Sequence, residues 1–345
     1  MKIPSLSIFL ASALFVAGCQ QPETVDTSTA TSTAAAESQS VVVYSGRNEK
    51  LIQPILDRFS KATGIKVQVR YGETAEMAAT ILEEGARTPA DVFIAQDAAA
   101  LGALSKAGLF RPLPAELLQK VPAQYAGRNR EWIGLSGRAR VIVYNPEKIT
   151  PADLPSDLEA VTSPRYKGRF GVAPTNASFQ AQIAVYHALK GADATQKLLA
   201  GMVANEPRRY ARNGAIVDAV IAGEVDWGLV NHYYLHQALA ERPDAPARNH
   251  FMTGGGAAAF VNVAGAGIMK ENPAAVQLIE YLLGEEAQRY FATETFEYPL
   301  VQGIDAAAGI TPLSDLQQPD IDWSAVSDSL EPALELIRQS GLLQE

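Results

Sequence analysis

Short apolar runs alternate with amphipathic stretches along the first part of the chain. The run at residues 41–44 is wholly apolar, which is typical of a strand buried on both faces of a sheet. Residues 51–61 repeat apolar side chains at helical spacing, and Gly64 follows as a stop signal. The alternation predicts strands at residues 41–44, 65–71 and 91–95 and helices at residues 51–61, 73–85 and 98–107. This order predicts an α/β lobe with a mainly parallel sheet.

Two longer extended runs, residues 132–144 and 257–263, have no helical period. Each is long enough to cross between two lobes, so we expect the second lobe to be inserted into the first, with the ligand in the cleft between them. The remaining predicted strands are residues 170–172 and 225–230, and the remaining helices are residues 179–190, 194–205, 213–222, 235 onward, 273–283, 285–293 and 331–343. The predicted first lobe comprises residues 41–140 and 264–313, and the second comprises residues 141–263 and 314–345.

The start of the chain reads as a targeting segment rather than as part of the fold. A positive start precedes an apolar segment at residues 6–17, too short for a comfortable membrane span, and V-A-G-C follows at residues 16–19. This resembles the bacterial lipoprotein signal, so residues 1–19 are predicted to be a signal peptide ending at a lipidated Cys19. The alternative is an ordinary secretory signal with an incidental cysteine. Residues 20–40, rich in Thr, Ser and Ala, are predicted to be a flexible tether. The expected location is the periplasm or cell surface, with a membrane anchor.

Composition narrows the possible functions. The chain has 345 residues, 47% of them hydrophobic, which is enough for two packed lobes. Its net charge of −9 argues against nucleic acid as a partner. One cysteine excludes an internal disulfide. Residues 134–138 lack the second glycine of a nucleophile elbow, and residues 265–267 lack the third glycine of a dinucleotide loop. No zinc-type cluster is present in the sequence either, so an enzyme is the least favoured class.

The stretch W-G-L-V-N-H-Y-Y-L-H-Q at residues 227–237 carries the strongest candidate chemistry. Four consecutive polar or aromatic residues lie where an apolar strand gives way to a helix: Asn231, His232, Tyr233 and Tyr234. Adjacent side chains converge on one point only where the backbone changes type. Considered alone, the two tyrosines are better interpreted as amphipathic packing residues with their hydroxyls at the surface. His232 and His236 share a helical spacing, which by itself is a weak metal signal.

Seven segments together resemble a known family. They read V-V-V-Y-S-G-R-N-E, P-A-D-V-F-I-A-Q-D, L-S-K-A-G-L-F, S-G-R-A-R-V-I-V-Y-N, P-T-N-A-S-F-Q-A-Q, G-E-V-D-W-G-L-V-N-H-Y-Y and V-N-V-A-G-A-G-I-M-K. In this order they resemble the ferric-ion-binding periplasmic proteins of ABC transporters, a branch of the extracellular solute-binding proteins, over residues 41–303. The fold implied is a type II-like periplasmic-binding-protein fold, in which two α/β lobes are joined by two hinge strands.

The resemblance implies that Tyr233 and Tyr234 ligate ferric iron. This ion is small, hard and triply charged, so it prefers anionic oxygen donors such as phenolate. A synergistic anion, phosphate or carbonate, completes the site in the family. The residues implied to hold that anion are Asn176, Ala177, Ser178, Asn213, Asn231 and, from the first loop, Arg47. The transported ligand is therefore expected to be ferric iron with its anion.

The first lobe departs from the family pattern. Asn48 stands where the best-known branch has a histidine ligand, and Gln96 stands where that branch has a glutamate. Phe179 occupies the position of a further tyrosine in other branches. Iron could be held by two tyrosines with anions and water, neighbouring Glu49 or Asp97 could substitute, or the ligand could be different.

The sequence therefore predicts a monomeric, lipid-anchored protein that is not an enzyme and delivers ferric iron to the permease and ATPase subunits of an ABC importer. The rival interpretation is a binding protein of the same fold for another small solute, such as an anion, a phosphonate or an iron chelate. Neutral Asn48 and Gln96 are its support.

Overall fold

The computed structural model describes residues 39–344 of the chain. The predicted signal peptide, Cys19 and nearly all of the predicted tether lie outside these residues. Ten strands are described: β1 (Ser40–Ser45), β2 (Lys66–Tyr71), β3 (Val92–Ala95), β4 (Trp132–Tyr144), β5 (Phe170–Val172), β6 (Arg208–Arg209), β7 (Trp227–Asn231), β8 (Arg248–His250), β9 (Val261–Ile268) and β10 (Tyr298–Pro299).

Eleven α-helices lie within the same residues. They are α1 (Glu49–Thr63), α2 (Thr74–Glu84), α3 (Ala98–Lys106), α4 (Ala115–Leu118), α5 (Ala177–Lys190), α6 (Ala192–Ala204), α7 (Asn213–Ile221), α8 (Tyr233–Glu241), α9 (Pro273–Leu282), α10 (Glu285–Thr293) and α11 (Trp323–Gln339). None of these helices is both long enough and apolar enough to cross a membrane.

The strands follow the order β2-β1-β3-β9-β4-β7-β5-β6, and β4 pairs in addition with β8 and β10. Strand β1 is parallel to β2 and to β3, and β5 is parallel to β6 and to β7, as expected for β-α-β units. The pairs β3–β9, β4–β9 and β4–β7 are antiparallel, so the predicted mainly parallel character holds only on either side of the centre.

Strand β4 is the centre of the molecule, and all of its side chains are buried. It coincides with the extended run predicted at residues 132–144. From Trp132 to Ala139 its antiparallel partner is β9, and from Arg140 to Tyr144 its partner is β7. The partner changes between Ala139 and Arg140, next to the lobe boundary that we propose at residue 140.

The second extended run lies further along the chain than its pattern predicts. Residues 256–259 form a 3₁₀ turn, and the strand is β9. The glycines at 265 and 267 lie within β9, where side chains would not fit. A Cβ on Gly265 would lie 2.7 Å from the carbonyl oxygen of Ile133, and one on Gly267 would lie 2.5 Å from the ring of Phe110. The G-A-G segment therefore serves close packing rather than ligand binding.

Helix α11 also starts earlier than its pattern predicts. It begins after Asp322, whose side chain accepts a hydrogen bond from the backbone N–H of Ser324, and it continues through Pro332. Its residues contact α5 and α6 as well as α3, which follow strands on different sides of the centre. Our assignment of residues 314–345 to the second lobe stays a prediction.

Candidate metal and anion site

The tyrosine pair lies where β7 ends and α8 begins. His232 links the two elements, and Tyr233 is the first residue of the helix. Tyr233 is 3% exposed and Tyr234 is half-buried, and their rings stack with centroids 4.3 Å apart and an interplanar angle of 28°. The change of backbone type therefore brings the two aromatic rings onto one side of the chain.

Without a metal, the phenol of Tyr233 is protonated around neutral pH. Burial raises the pKa of Tyr233 well above 10, negative charge on Tyr234 raises it further, and the charge of Arg138 lowers it. A buried phenol does not ionise alone, but a trivalent cation at bonding distance favours the phenolate strongly. The pair can therefore act as two anionic oxygen ligands that exchange protons for a metal ion.

Arg140 lies beside the pair and was not among the residues predicted from the sequence. It is 1% exposed, and its Nη1 donates to the side-chain oxygens of Asn213 at 3.0 Å and Asn231 at 3.1 Å. Nη1 also donates to Ser178 Oγ at 3.2 Å, and Nε donates to Gln182 Oε1 at 3.1 Å. All four acceptors are neutral, and Nη2 has no hydrogen-bond partner within residues 39–344.

The environment of Arg140 is suited to an anion. Burial lowers its pKa to about 9, while negative charge on Tyr234 and Tyr233 raises it, so the guanidinium stays cationic at neutral pH. Over the described part of the chain it forms no ion pair. A buried cation whose described partners are all neutral is stabilised when an anion binds beside it.

The structure brings the predicted anion-binding residues of the second lobe together around Arg140. Asn176 caps α5, its Oδ1 accepts from the N–H of Ser178 at 3.1 Å, and Asn213 Nδ2 donates to the same oxygen at 2.8 Å. Ala177 is the first residue of α5, and Asn213 is the first of α7. Two helix N-termini therefore approach the guanidinium, and their N–H groups favour negative charge.

The first-lobe candidates are mostly occupied with local structure. Asn48 is exposed and caps α1 by accepting from the N–H of Lys50, and exposed Glu49 is the first residue of that helix. Asp97 caps α3 and is half-buried, and burial raises its pKa although backbone hydrogen bonds oppose the shift. Gln96 differs, because its Oε1 is buried and has no partner within the described residues. It is the first-lobe candidate that presents a free oxygen acceptor.

Arg47, the predicted first-lobe anion contact, lies in a buried ion pair instead. Its Nη2 is 2.7 Å from Glu297 Oε2, and its Nη1 donates to Ser136 Oγ at 3.0 Å. Arg138 Nε lies 3.9 Å from Glu297 Oε1. Burial opposes ionisation of Glu297, but the charges of Arg47 and then Arg138 lower its pKa overall. The structure does not bring Arg47 into the cluster around Arg140.

His232 is a packing residue between β4 and β10. It is fully buried, its ring stacks on Tyr298 with centroids 4.6 Å apart, and its Nδ1 accepts from the N–H of Ala139 at 3.2 Å. Burial, and then charge on His236, lower its pKa to about 3. Residues 39–344 contain no group of three or more His, Cys, Asp or Glu placed to hold a metal. A hard metal at this site would therefore depend on the phenols and on exogenous oxygen ligands.

Known proteins share both this fold and this sequence pattern. Residues 87–322 match the family described as bacterial extracellular solute-binding proteins. The Fe(3+)-binding periplasmic protein of Serratia marcescens is 34% identical over 316 residues, which are 90% of this chain and 93% of that protein. Iron-bound HitA from Pseudomonas aeruginosa is 34% identical with a TM-score of 0.82, covering 88% of this chain and 99% of its own. Trichodesmium IdiA (FutA), in complex with iron and citrate ligands, is 29% identical with a TM-score of 0.74, covering 88% of this chain and 99% of its own.

The chain belongs to the family of bacterial extracellular solute-binding proteins. Its fold is the two-lobed α/β fold of these relatives, which confirms the fold class predicted from the sequence.

Proposed function

We propose that this protein captures ferric iron with an exogenous oxyanion and delivers it to an ABC importer. The observation that carries the proposal is the buried, stacked pair Tyr233 and Tyr234 beside the cationic Arg140 at the hinge of a binding-protein fold. The Serratia relative is named for Fe(3+) and the Pseudomonas structure is iron-bound, which supports the same ligand here.

Each group has a distinct role in this proposal. The two phenolates neutralise part of the charge of the ion, and the anion supplies further oxygen ligands while it accepts hydrogen bonds from Arg140. Asn213 and Asn231 accept hydrogen bonds from that guanidinium, and Asn176 accepts one from Asn213. The N-terminus of α5, at Ala177 and Ser178, favours the negative charge of the anion. Gln96 contributes a neutral oxygen from the first lobe.

The cellular setting follows from the class of protein. Family membership implies a permease and an ATPase as partners, and the relatives' names support a periplasmic location. We further propose that cleavage and lipidation at Cys19 anchor a monomeric binding protein to the membrane, with residues 20–40 as the tether.

A titration of the purified protein tests the proposal. Ferric nitrilotriacetate added to protein stripped by a chelator should produce a tyrosinate-to-iron charge-transfer band in the visible range. The band should weaken or vanish in Tyr233→Phe. Tyr186→Phe is the matched control, since Tyr186 is a similarly buried tyrosine that donates to Glu159 instead. Absence of a band in the parent, or a Tyr233→Phe protein that binds iron like the parent, would exclude the proposed ligation.

A second candidate function is supported by the neutral first-lobe residues. Asn48 caps a helix and Gln96 is an amide, so neither supplies the negative charge expected of a ligand for a bare trivalent ion. A binding protein for a metal-free anion or phosphonate would need Arg140 but not the tyrosines. A thermal-shift panel separates the two functions, because the ligand bound by the folded state stabilises it by mass action.

A further inference from the structure

Two buried arginines lie on one face of the hinge strand. Arg138 and Arg140 are 2% and 1% exposed, and residues two apart on a strand project to the same side. A buried guanidinium is uncommon unless an anion pairs with it. Two such groups so close together in the centre of the molecule require a specific explanation.

The two arginines belong to different parts of the sheet. Arg138 is in register with Asn262 on β9, and Arg140 is in register with Asn231 on β7. The change of strand partner falls between them, at the point about which the lobes would open. Arg138 thus lies in the part of β4 that pairs with β9, whereas Arg140 lies in the part that pairs with β7.

The carboxylates within ion-pair distance do not balance these charges. Asp97 interacts with the charge of Arg138 but forms no ion pair with it. In residues 39–344, Glu297 is the one carboxylate within ion-pair distance of Arg47, Arg138 or Arg140. It lies closer to Arg47, at 2.7 Å, than to Arg138, at 3.9 Å. Arg47, Arg138 and Arg140 together therefore exceed this carboxylate by two positive charges. Nε and Nη2 of Arg138 and Nη2 of Arg140 also have no hydrogen-bond partner within the described residues.

We infer that Arg138 and Arg140 bind one polyvalent oxyanion between them, and that this anion is the first lobe's main link to the cargo. The inference rests on the proposed function and names its anion-binding residues more closely. The required chemistry is that of a carboxylate or phosphate group with several anionic oxygens. Guanidinium groups match such oxygens with paired N–H donors.

This arrangement accounts for the neutral residues in the first lobe. Asn48 and Gln96 supply no charge to a metal, but a cation such as Arg138 can hold an anion that does. An anion that touches both arginines spans the point where β4 changes its partner from β9 to β7. It therefore stabilises the closed form in addition to completing the iron site.

The test measures anion binding directly. Equilibrium dialysis with radiolabelled phosphate, and separately with citrate, is carried out with and without iron on the full protein. We expect one anion per protein, with affinity about 10- to 100-fold weaker in Arg138→Met and in Arg140→Met, since each variant loses a charged donor. The two anion arms show whether an inorganic or a polycarboxylate anion fits better. Arg338→Gln, at an exposed position on α11, is the control and should match the parent.

Folding of the variants does not confound the result. Arg138→Met leaves Arg47 and Glu297 as a one-to-one pair, so the metal-free variant should fold with a Tm at or above that of the parent. Arg138→Lys keeps the charge but loses the paired donors, so its anion affinity should lie between those of the parent and Arg138→Met. A merely structural role would instead lower the Tm and leave the affinity of the folded protein unchanged.

Several outcomes would overturn the inference. Two anions bound per parent molecule, with one retained in each single variant, would show separate subsites. Parent-like anion affinity in Arg138→Met would remove that residue from the site. If the parent showed no iron band, the proposed function would fail, yet dialysis of phosphate against the iron-free protein would still decide the role of Arg138.

Discussion

At the residue scale, the tyrosine pair should make iron binding strongly dependent on pH. Burial keeps the pKa of Tyr233 well above 10, so this phenol is protonated throughout the neutral range and must lose its proton to the metal. If both tyrosines ligate, two protons leave for each ion bound. The apparent iron affinity should then fall about 100-fold for each unit of pH decrease below neutrality.

The Tyr234→Phe variant gives the matching measurement. With one phenol left, the apparent iron affinity should fall about 10-fold for each unit of pH decrease. The measurement uses a fixed concentration of a competing chelator and corrects for protonation of that chelator. Competition titrations followed in the charge-transfer band between pH 5.5 and about 8 provide the slopes. Identical slopes in the parent and the variant would show that Tyr234 is not a ligand.

Sequence reasoning could single out the tyrosines because they are adjacent in one short motif, whereas the asparagines lie in three separate segments and followed from the family resemblance. The adjacency of Tyr233 and Tyr234, and the change from apolar strand to helix around them, are visible in the chain itself. Arg138 and Arg140 were missed because their importance depends on burial and on the lack of a matching carboxylate, which only the assembled sheet shows. The available signal was two arginines on one face of an apolar strand.

At the scale of elements, the contact between β4 and the segment before β10 depends on one carboxylate. Glu297 is fully buried and lies between two arginines. Glu297→Gln would leave both cations without a charged partner, and removing one member of a buried ion pair costs about 3–5 kcal/mol. We expect the free energy of unfolding of the metal-free protein, measured in urea, to fall by about that amount.

The control for this change is Glu294→Gln on the surface. Glu294 lies 2.7 Å from Arg58, but both side chains are more than a third exposed. Exposed pairs of this kind contribute about 0–1 kcal/mol, so the control should differ little from the parent. Equal losses in the two variants would mean that the buried position of Glu297 adds nothing to its contribution.

Element boundaries show where sequence patterns stop being informative. The parallel strands β1 and β3 and helices α9 and α10 follow from apolar periodicity and from caps such as Asn272. The bounds of β9 do not, because Gly265 and Gly267 add no side chains to the apolar pattern, which ends at residue 263. Both positions pair within the sheet, and they are glycine because Ile133 and Phe110 come too close for any larger residue.

At the scale of the whole molecule, the two-lobed organisation can be predicted from the two extended runs, but the limits of each lobe cannot. Helix α11 contacts α3 as well as α5 and α6, so no periodicity in residues 314–345 assigns it to one lobe. Its position does matter for opening, because a helix that contacts both sides must slide or bend when the lobes separate. The extent of opening therefore depends on how α11 packs and cannot be predicted from the hydrophobic pattern of the sequence.

The last prediction concerns closure of the lobes on the cargo. Arg140 pairs with β7, which leads into the two tyrosines, whereas Arg138 pairs with β9 and Gln96 follows β3. We therefore expect tight binding to need both groups of strands together. Iron and phosphate added together should reduce the radius of gyration measured by small-angle X-ray scattering and raise the Tm. At a free ligand concentration 100-fold above the Kd the stabilisation should be about 2.7 kcal/mol. Tyr233→Phe under the same conditions should show a smaller change in both quantities, because it binds the metal more weakly. A parent protein that gained stability with no change in radius would hold its ligand on one lobe alone, which would contradict a site shared across the hinge.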